Sequence, residues 1–213
     1  MTGLDERQPV LHNDETPARI ALTADVDPRA KVGPGSLVWH LAQIREYAQI
    51  SAGCIIGRGV YIGPGVIIGH NCKVQNFALI YEPALLEDGV FVGPAVVFTN
   101  DSYPRAINID GSRQTDDDWE AVGVTVRTGA SIGARAVCVA PITIGRYALV
   151  AAGSVVTRNV PDYAIVMGVP ARRSGWAGRA GVPLVADAET EGVFVCPQTQ
   201  ERYEEHDGVL SPV

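Results

Sequence analysis

The chain has 213 residues, 46% of them hydrophobic and 19% charged, with a formal net charge of −7. That length and balance allow one sizeable domain with a real core, and the negative charge argues against a nucleic-acid partner, which would need a basic face. No apolar run approaches the ~20 residues of a membrane span, and Met1 to Arg19 is polar, without the apolar centre of a signal peptide. A cytoplasmic protein with no membrane association is therefore expected.

Residues 1–20 read as a leader that reaches a first strand at Ala18 to Leu22. From Val26 an aliphatic residue recurs at every sixth position, through Val32, Val38, Ile44, Ile50, Ile56, Ile62, Ile68, Val74, Ile80 and Leu86 to Val92. Four residues after each stands a small or branched one, such as Ala30, Ser36, Ala42, Cys54, Val60, Cys72, Ala78 or Val96. A period of six fits neither the helical 3.6 nor a plain two-residue alternation and marks a β-solenoid, each hexad giving one short strand and a turn. Gly or Asn often precedes the small residue, as at Gly35, Gly53, Gly59 and Asn71, which suits a turn of positive φ. Cys54 and Cys72 fall on inward positions, where a thiol behaves as a small hydrophobe. Cys138 and Cys196 form no CxxC pair, so disulfides are not expected.

At Phe98 the register fails, and the next hexad begins at Val126, thirty-four residues after Val92. The intervening segment, 99–123, must leave the stack as a loop, and loops on a repetitive scaffold are where specific chemistry is usually placed. A second block runs through Val126, Ile132, Cys138, Ile144, Val150 and Val156. Residues 160–173 read as an extended segment turning at Gly168 and Pro170, and the Gly-rich 174–184 as a short helix or an irregular stretch. Phe194 to Leu210 reads as a small β-hairpin with Asp207-Gly208 at its tight turn. It is similar to half a zinc ribbon, but one cysteine cannot close a four-ligand site, so no metal is assigned.

Four segments carry a resemblance. They are NCKVQNFALIY (71–81), LEDGVFVGPAVVFTNDSYPR (86–105), GASIGARAVCVAPITIGRYALVAAGSVVTRNVP (129–161) and IVMGVPARRSGW (165–176). The hexads resemble those of the left-handed parallel β-helix acyltransferases. The KVQN, TND-x-x-PR and GVPAR motifs in one order look like the sugar-nucleotide N-acetyltransferases, most of all those that acetylate UDP-2-acetamido-3-amino-2,3-dideoxy-glucuronate in bacterial polysaccharide synthesis. The resemblance covers Val26 to about Trp176. It implies an all-β fold, a left-handed β-helix over 21–173 with three hexads per triangular coil, the inserted loop 99–123 and a C-terminal extension over 174–213. The two hexad blocks then make six coils, a prism on the order of 29 Å long at the ~4.8 Å strand spacing. Acetyl-CoA as co-substrate and a homotrimer with CoA sites at its interfaces are likewise implied.

For Asn100 the resemblance implies contact with the sugar amine. A neutral amine is a good nucleophile toward a thioester, so an orienting acceptor supplies much of the rate through positioning, a backbone N–H stabilises the oxyanion, and the departing thiolate takes the proton. The bland alternative is that Asn100-Asp101 only opens the loop as an Asx turn. Asp101 or Glu82 as a base is the weaker option. Eighteen-residue stacking places Asn100 one coil above Glu82, with Asn76 expected nearby. Lys73 and Arg105 are candidates for the diphosphate or the sugar carboxylate, Gln75 and Asn76 for sugar hydroxyls, and Tyr81 and Tyr103 for the base. The resemblance also implies that the pantetheine arm runs past small residues such as Ala134 and Ala152, with Arg158, Arg172 and Arg173 near the adenosine phosphates. For each cation the alternative is a solvated surface charge, and Asp116 to Asp118 reads as a solvated run rather than a metal site.

The sequence departs from the family pattern at Phe77, at Pro83 and in the long acidic loop, which leaves the shape of the sugar pocket open. A dTDP-3-amino-3,6-dideoxyhexose is the alternative substrate. A γ-carbonic-anhydrase-like site needs about three converging histidines, and His40 and His70, thirty residues apart, fall on different faces. A non-enzymatic scaffold would explain the repeats but not the TND and GVPAR motifs.

Overall fold

The computed structural model describes residues 16–213, so the first fifteen residues of the expected leader lie outside the described residues. Strands make up the regular structure, and no helix occurs among the described residues. Two-residue strands follow one another every six residues and pair in parallel with the strand eighteen residues on, Leu37↔Ile55, Gln43↔Tyr61 and Gln49↔Ile67 being successive examples. Three sheets of nine, seven and six strands therefore form the faces of a triangular prism. The first face starts at Arg19–Ile20, the second at Asp25–Val26 and the third at Lys31–Val32.

Arg19–Ile20 pairs with Leu37–Val38, so the solenoid begins inside the stretch read as a leader. With one second-face strand per coil there are seven coils rather than six. The register also survives Phe98. Val97–Phe98 pairs with Leu79–Ile80 below and with Val137–Cys138 above, and the Phe98 ring fills an inward slot that aliphatics occupy elsewhere. The break comes one residue later, and Leu86↔Val126 shows the next coil resuming in step after the loop.

The corners explain the Gly and Asn positions. At most corners the residue before the inward small side chain has positive φ, and this aims its N–H at a carbonyl of the coil below. Gly59 (φ 62°) donates to His40 O at 3.1 Å and Phe77 (φ 62°) to Arg58 O at 2.9 Å. That bond offsets the left-handed cost of ~1–2 kcal/mol for a side-chain-bearing residue. Pro83 and Pro141 occupy equivalent corners, each after a cis peptide bond.

Inside, the aliphatic and small positions form one continuous core, with Ser36 and Ser154 as its buried polar residues. Both serines are satisfied. The Ser36 hydroxyl donates to Ser51 O and accepts the Cys54 N–H, each at 3.0 Å, and Ser154 Oγ accepts the Gly168 N–H at 3.2 Å. All four cysteines are reduced and buried, and burial pushes the Cys138 thiol up to about 12. A raised thiol pKa contributes stability below the unfolded value of ~8.5 that is lost as pH rises toward the folded one. We expect native protein to release no thionitrobenzoate from Ellman's reagent at pH 8 until denaturant is added; rapid native reaction at any cysteine would contradict this burial.

Beyond the last coil, Ala164–Gly168 joins the first face in parallel with Leu149–Val150, and Ala171–Trp176 folds back on it antiparallel. Ser174 to Trp176 is thus strand, not helix or irregular chain. The expected hairpin is part of a four-stranded antiparallel sheet built from Val185–Ala186, Val193–Val195, Arg202–His206 and Val209–Pro212, with Asp207-Gly208 at its last turn. Tyr163 stacks on Tyr147 at 5.5 Å and meets the edge of Tyr203 at 5.3 Å. Together with Trp176, Cys196 and Leu210 these rings continue the prism's core into the sheet, so the sheet caps what would otherwise be an open strand edge.

Candidate functional site

Stacking at eighteen residues per coil gathers the predicted residues into vertical files along the corners. The corner after the first face carries Trp39 and His40, Arg58, Gln75 and Asn76, then Gly93 and Pro94, Gly133 and Ala134, and Ala151 and Ala152. Its lower half is polar and aromatic; its upper half is a channel of small side chains that includes Ala134 and Ala152. The coils approach so closely there that a Cβ on Gly133 would collide with the backbone nitrogen of Ala152. Gly133→Ala should lower stability by about 2–3 kcal/mol, the scale of overpacking against a part that cannot yield. Urea unfolding would measure it, and an unchanged midpoint would show that the coils can separate.

The corner after the second face carries Tyr81 and Glu82, then Thr99 and Asn100, then the excursion, and higher up Thr157 and Arg158. Asn100 stands directly above Glu82, as the spacing predicts. Its carbonyl accepts the Val122 N–H at 2.9 Å, closing the base of the loop, while its carboxamide makes no hydrogen bond among the described residues. Asp101 Oδ1 accepts the Tyr103 N–H at 2.7 Å, so Asp101 forms the Asx turn and Asn100 does not.

Glu82 is the unusual group. At other corners a side-chain oxygen caps a backbone N–H of the coil below. Asn76 accepts from Arg58 at 2.9 Å, Asp88 from His70 at 2.6 Å and Asp162 from Arg146 at 2.8 Å. Glu82 occupies the same station, but the residue eighteen before it is Pro64, which has no N–H. One Glu82 carboxylate oxygen is consequently buried without a partner, a costly state for an acceptor unless a donor arrives from outside. The Tyr61 and Tyr81 rings lie 5.0 Å apart beside it, and burial, then the Glu82 charge, push the Tyr61 hydroxyl up.

The remaining residues divide. Asn76 does not neighbour Glu82 and Asn100, contrary to expectation, because six residues turn the chain through one corner of the triangle. Lys73 points outward on the first face between Ile55 and Phe91 and has no ion pair among the described residues. Tyr103 and Arg105 are exposed on the loop, where Arg105 donates to Pro104 O at 2.9 Å. Arg158, Arg172 and Arg173 do converge, lining one pocket of about 150 Å³ with Asn159 and Pro161. Arg173 is partly committed, pairing with Glu205 at 3.3 Å and lying 4.2 Å over the Trp176 ring. No group of three or more His, Cys, Asp or Glu poised for a metal occurs among the described residues.

A model of the hexapeptide repeat of succinyl-transferase matches residues 48–76 and 124–158, the two blocks on either side of the loop. The chain is a left-handed β-helix of hexapeptide repeats. Among proteins similar to this hexapeptide-repeat chain is the dTDP-3-amino-3,6-dideoxy-α-D-galactopyranose 3-N-acetyltransferase of Aneurinibacillus thermoaerophilus, 46% identical over 93 residues, which are 43% of this chain and 46% of that protein. The chain thus matches just under half the length of that relative. Two solved structures share the fold. A UDP-N-acetylglucosamine acyltransferase from Bacteroides fragilis has a TM-score of 0.60 at 18% identity, covering 76% of this chain and 62% of the other. An N-acyltransferase from Bacillus cereus, in complex with dTDP-4-amino-4,6-dideoxyglucose and coenzyme A, has a TM-score of 0.51 at 18% identity, covering 78% and 85%.

Proposed function

We propose that this hexapeptide-repeat protein is an acetyl-CoA-dependent N-acetyltransferase that acylates the 3-amino group of a nucleotide-linked amino sugar. The observation that carries the reading is the unhydrogen-bonded carboxamide of Asn100 stacked over the orphaned carboxylate of Glu82. The buried Glu82 oxygen lacks a donor, the Asn100 carboxamide oxygen is a second free acceptor, and an amine is a donor that fits both. Glu82 accepts a proton from the arriving ammonium, and Asn100 holds the neutral nitrogen with its lone pair toward the thioester carbon. The C–N bond forms, backbone N–H groups hold the oxyanion, and collapse expels the CoA thiolate, which takes the amine's second proton.

The small-residue channel at Ala134 and Ala152 suits the pantetheine arm, and the pocket of Arg158 and Arg172 suits its phosphates. In a single chain the channel and the amine pair lie on different corners, one face apart. A closed ring of three copies sets one chain's corner beside the next chain's, so a homotrimer completes the site. The thioester co-substrate agrees with a cytoplasmic location.

Two substrates fit. The motifs favour a UDP-2-acetamido-3-amino-2,3-dideoxyuronate, with Lys73, Arg105, Gln75, Asn76, Tyr81 and Tyr103 as further candidate contacts, and the Aneurinibacillus relative favours a dTDP-3-amino-3,6-dideoxyhexose. A C6 carboxylate wants a cation where a methyl does not. Thiol release from acetyl-CoA with the two sugars in parallel decides between them, and we expect turnover on one, with the acetylated sugar recovered. Folded protein that releases thiol with neither would overturn the reading.

A further inference from the structure

Trp39, His40 and Arg58, in the lower half of the first corner, have no part in the chemistry so far. Two adjoining hollows of about 220 and 310 Å³ share Trp39 and His40 and form one groove across the first four coils, running up to Gln75 and Asn76. Trp39 is half exposed, which an indole escapes where it can find cover. His40 Nδ1 is held by the Thr23 hydroxyl at 2.9 Å. The Arg58 backbone N–H is capped by Asn76, but its guanidinium reaches solvent with no ion pair among the described residues, and Lys73 on the adjoining face has none either. One unpaired guanidinium, Arg58, lines the groove with the exposed indole, and Lys73, stacked on the lining residue Ile55, stands at the groove's margin, on a chain of net charge −7.

We infer that this groove binds the nucleoside diphosphate portion of the substrate, with the base stacked on Trp39 and the diphosphate held by Arg58 and Lys73. The inference rests on the nucleotide-sugar reading above and adds the surface that would recognise the nucleotide. A flat π-system takes a base of either identity, and a guanidinium takes paired phosphate oxygens. The Gln75 carboxamide, which makes no side-chain hydrogen bond among the described residues, is available to a base edge or ribose hydroxyl. Above the groove the same corner becomes the small-residue channel, so nucleotide and acyl donor approach from opposite ends of one file.

The test is a titration of full-length protein with UDP and with dTDP, followed by tryptophan fluorescence and calorimetry, for wild type, Trp39→Ala, Trp39→Phe and Arg58→Ala. Light scattering gives the mass of each variant, and acetyl-CoA binding serves as a control. One or both nucleotides should quench wild-type emission. Trp39→Ala should abolish the quench and weaken binding by roughly 10-fold or more, Trp39→Phe should keep most of the affinity, and Arg58→Ala should weaken binding by roughly 10-fold. Acetyl-CoA binding and mass should stay unchanged. Wild-type affinity in both Trp39→Ala and Arg58→Ala, with thiol release on a nucleotide sugar intact, would sink the inference and leave the acetyltransferase reading standing. A change of mass in Trp39→Ala with nucleotide binding retained would sink it too, because the groove would then be a subunit contact. No nucleotide binding together with no thiol release would remove both.

Discussion

Asn100→Ala is expected to reduce kcat/KM for amine acetylation by about 100-fold or more, the scale of a lost orienting contact at the reacting atom. The carboxamide has no hydrogen bond to break among the described residues, and the loop base is closed by the Asn100 carbonyl, which alanine keeps. Melting temperature and acetyl-CoA affinity should therefore stay at wild-type values, separating a catalytic loss from a folding one. Glu82→Gln supplies the second half of the argument. Glutamine retains the shape but takes no proton, so its deficit should be largest, about 100-fold, near neutral pH. It should shrink above pH 9, where the sugar amine is already neutral. A wild-type rate for Asn100→Ala would remove this corner from the mechanism, and a pH-independent deficit in Glu82→Gln would leave Glu82 only a positioning role.

Tyr203→Ala should produce the largest loss of stability, about 3–5 kcal/mol, as expected for deleting a buried aromatic ring. Tyr203 is the largest fully buried side chain among the described residues. Its ring meets Tyr163, and its hydroxyl accepts the Arg179 N–H at 3.0 Å while donating to Glu201 at 2.9 Å. At ~2–4 °C per kcal/mol for a domain of this size, the loss amounts to a fall in melting temperature on the order of 10 °C. Tyr203→Phe keeps the ring and forfeits the hydroxyl's bonds, so it should cost about 1–2 kcal/mol. In a solenoid each coil leans on its neighbours, and losing the cap should expose the last coils to hydrogen exchange before the first ones. Uniform protection and an unchanged melting point would mean that the sheet is not coupled to the prism.

The period of six made the solenoid legible because each coil repeats the same burial demand at the same two positions. It became illegible where that demand was met by other means. Phe98 fills an aliphatic slot with a ring, so the simple pattern stops short of the real register. The strands of the C-terminal sheet were hidden for another reason. They are held by specific cross-connections, such as the Trp176 indole N–H donating to Glu205 at 2.7 Å, and such pairs have no period.

For the site, stacking arithmetic placed Asn100 over Glu82, but it could not show that Pro64 leaves Glu82 without its cap. That requires comparison with Asn76, Asp88 and Asp162 in space. Eighteen-residue spacing puts Trp39 and His40 in one file with Gly57 and Arg58, yet nothing in that spacing distinguishes an exposed indole beside an unpaired guanidinium from an ordinary surface.

The bond between the Asn100 carbonyl and the Val122 N–H makes the excursion between them a detachable graft. Its two feet stand together on a coil whose neighbours pair in step across the detour, as Leu86↔Val126 shows. Doubling its length would cost only ~0.6 kcal/mol in closure entropy. The segment can therefore be lengthened, shortened or replaced wholesale, changing the surface it presents while the rungs beneath keep their positions.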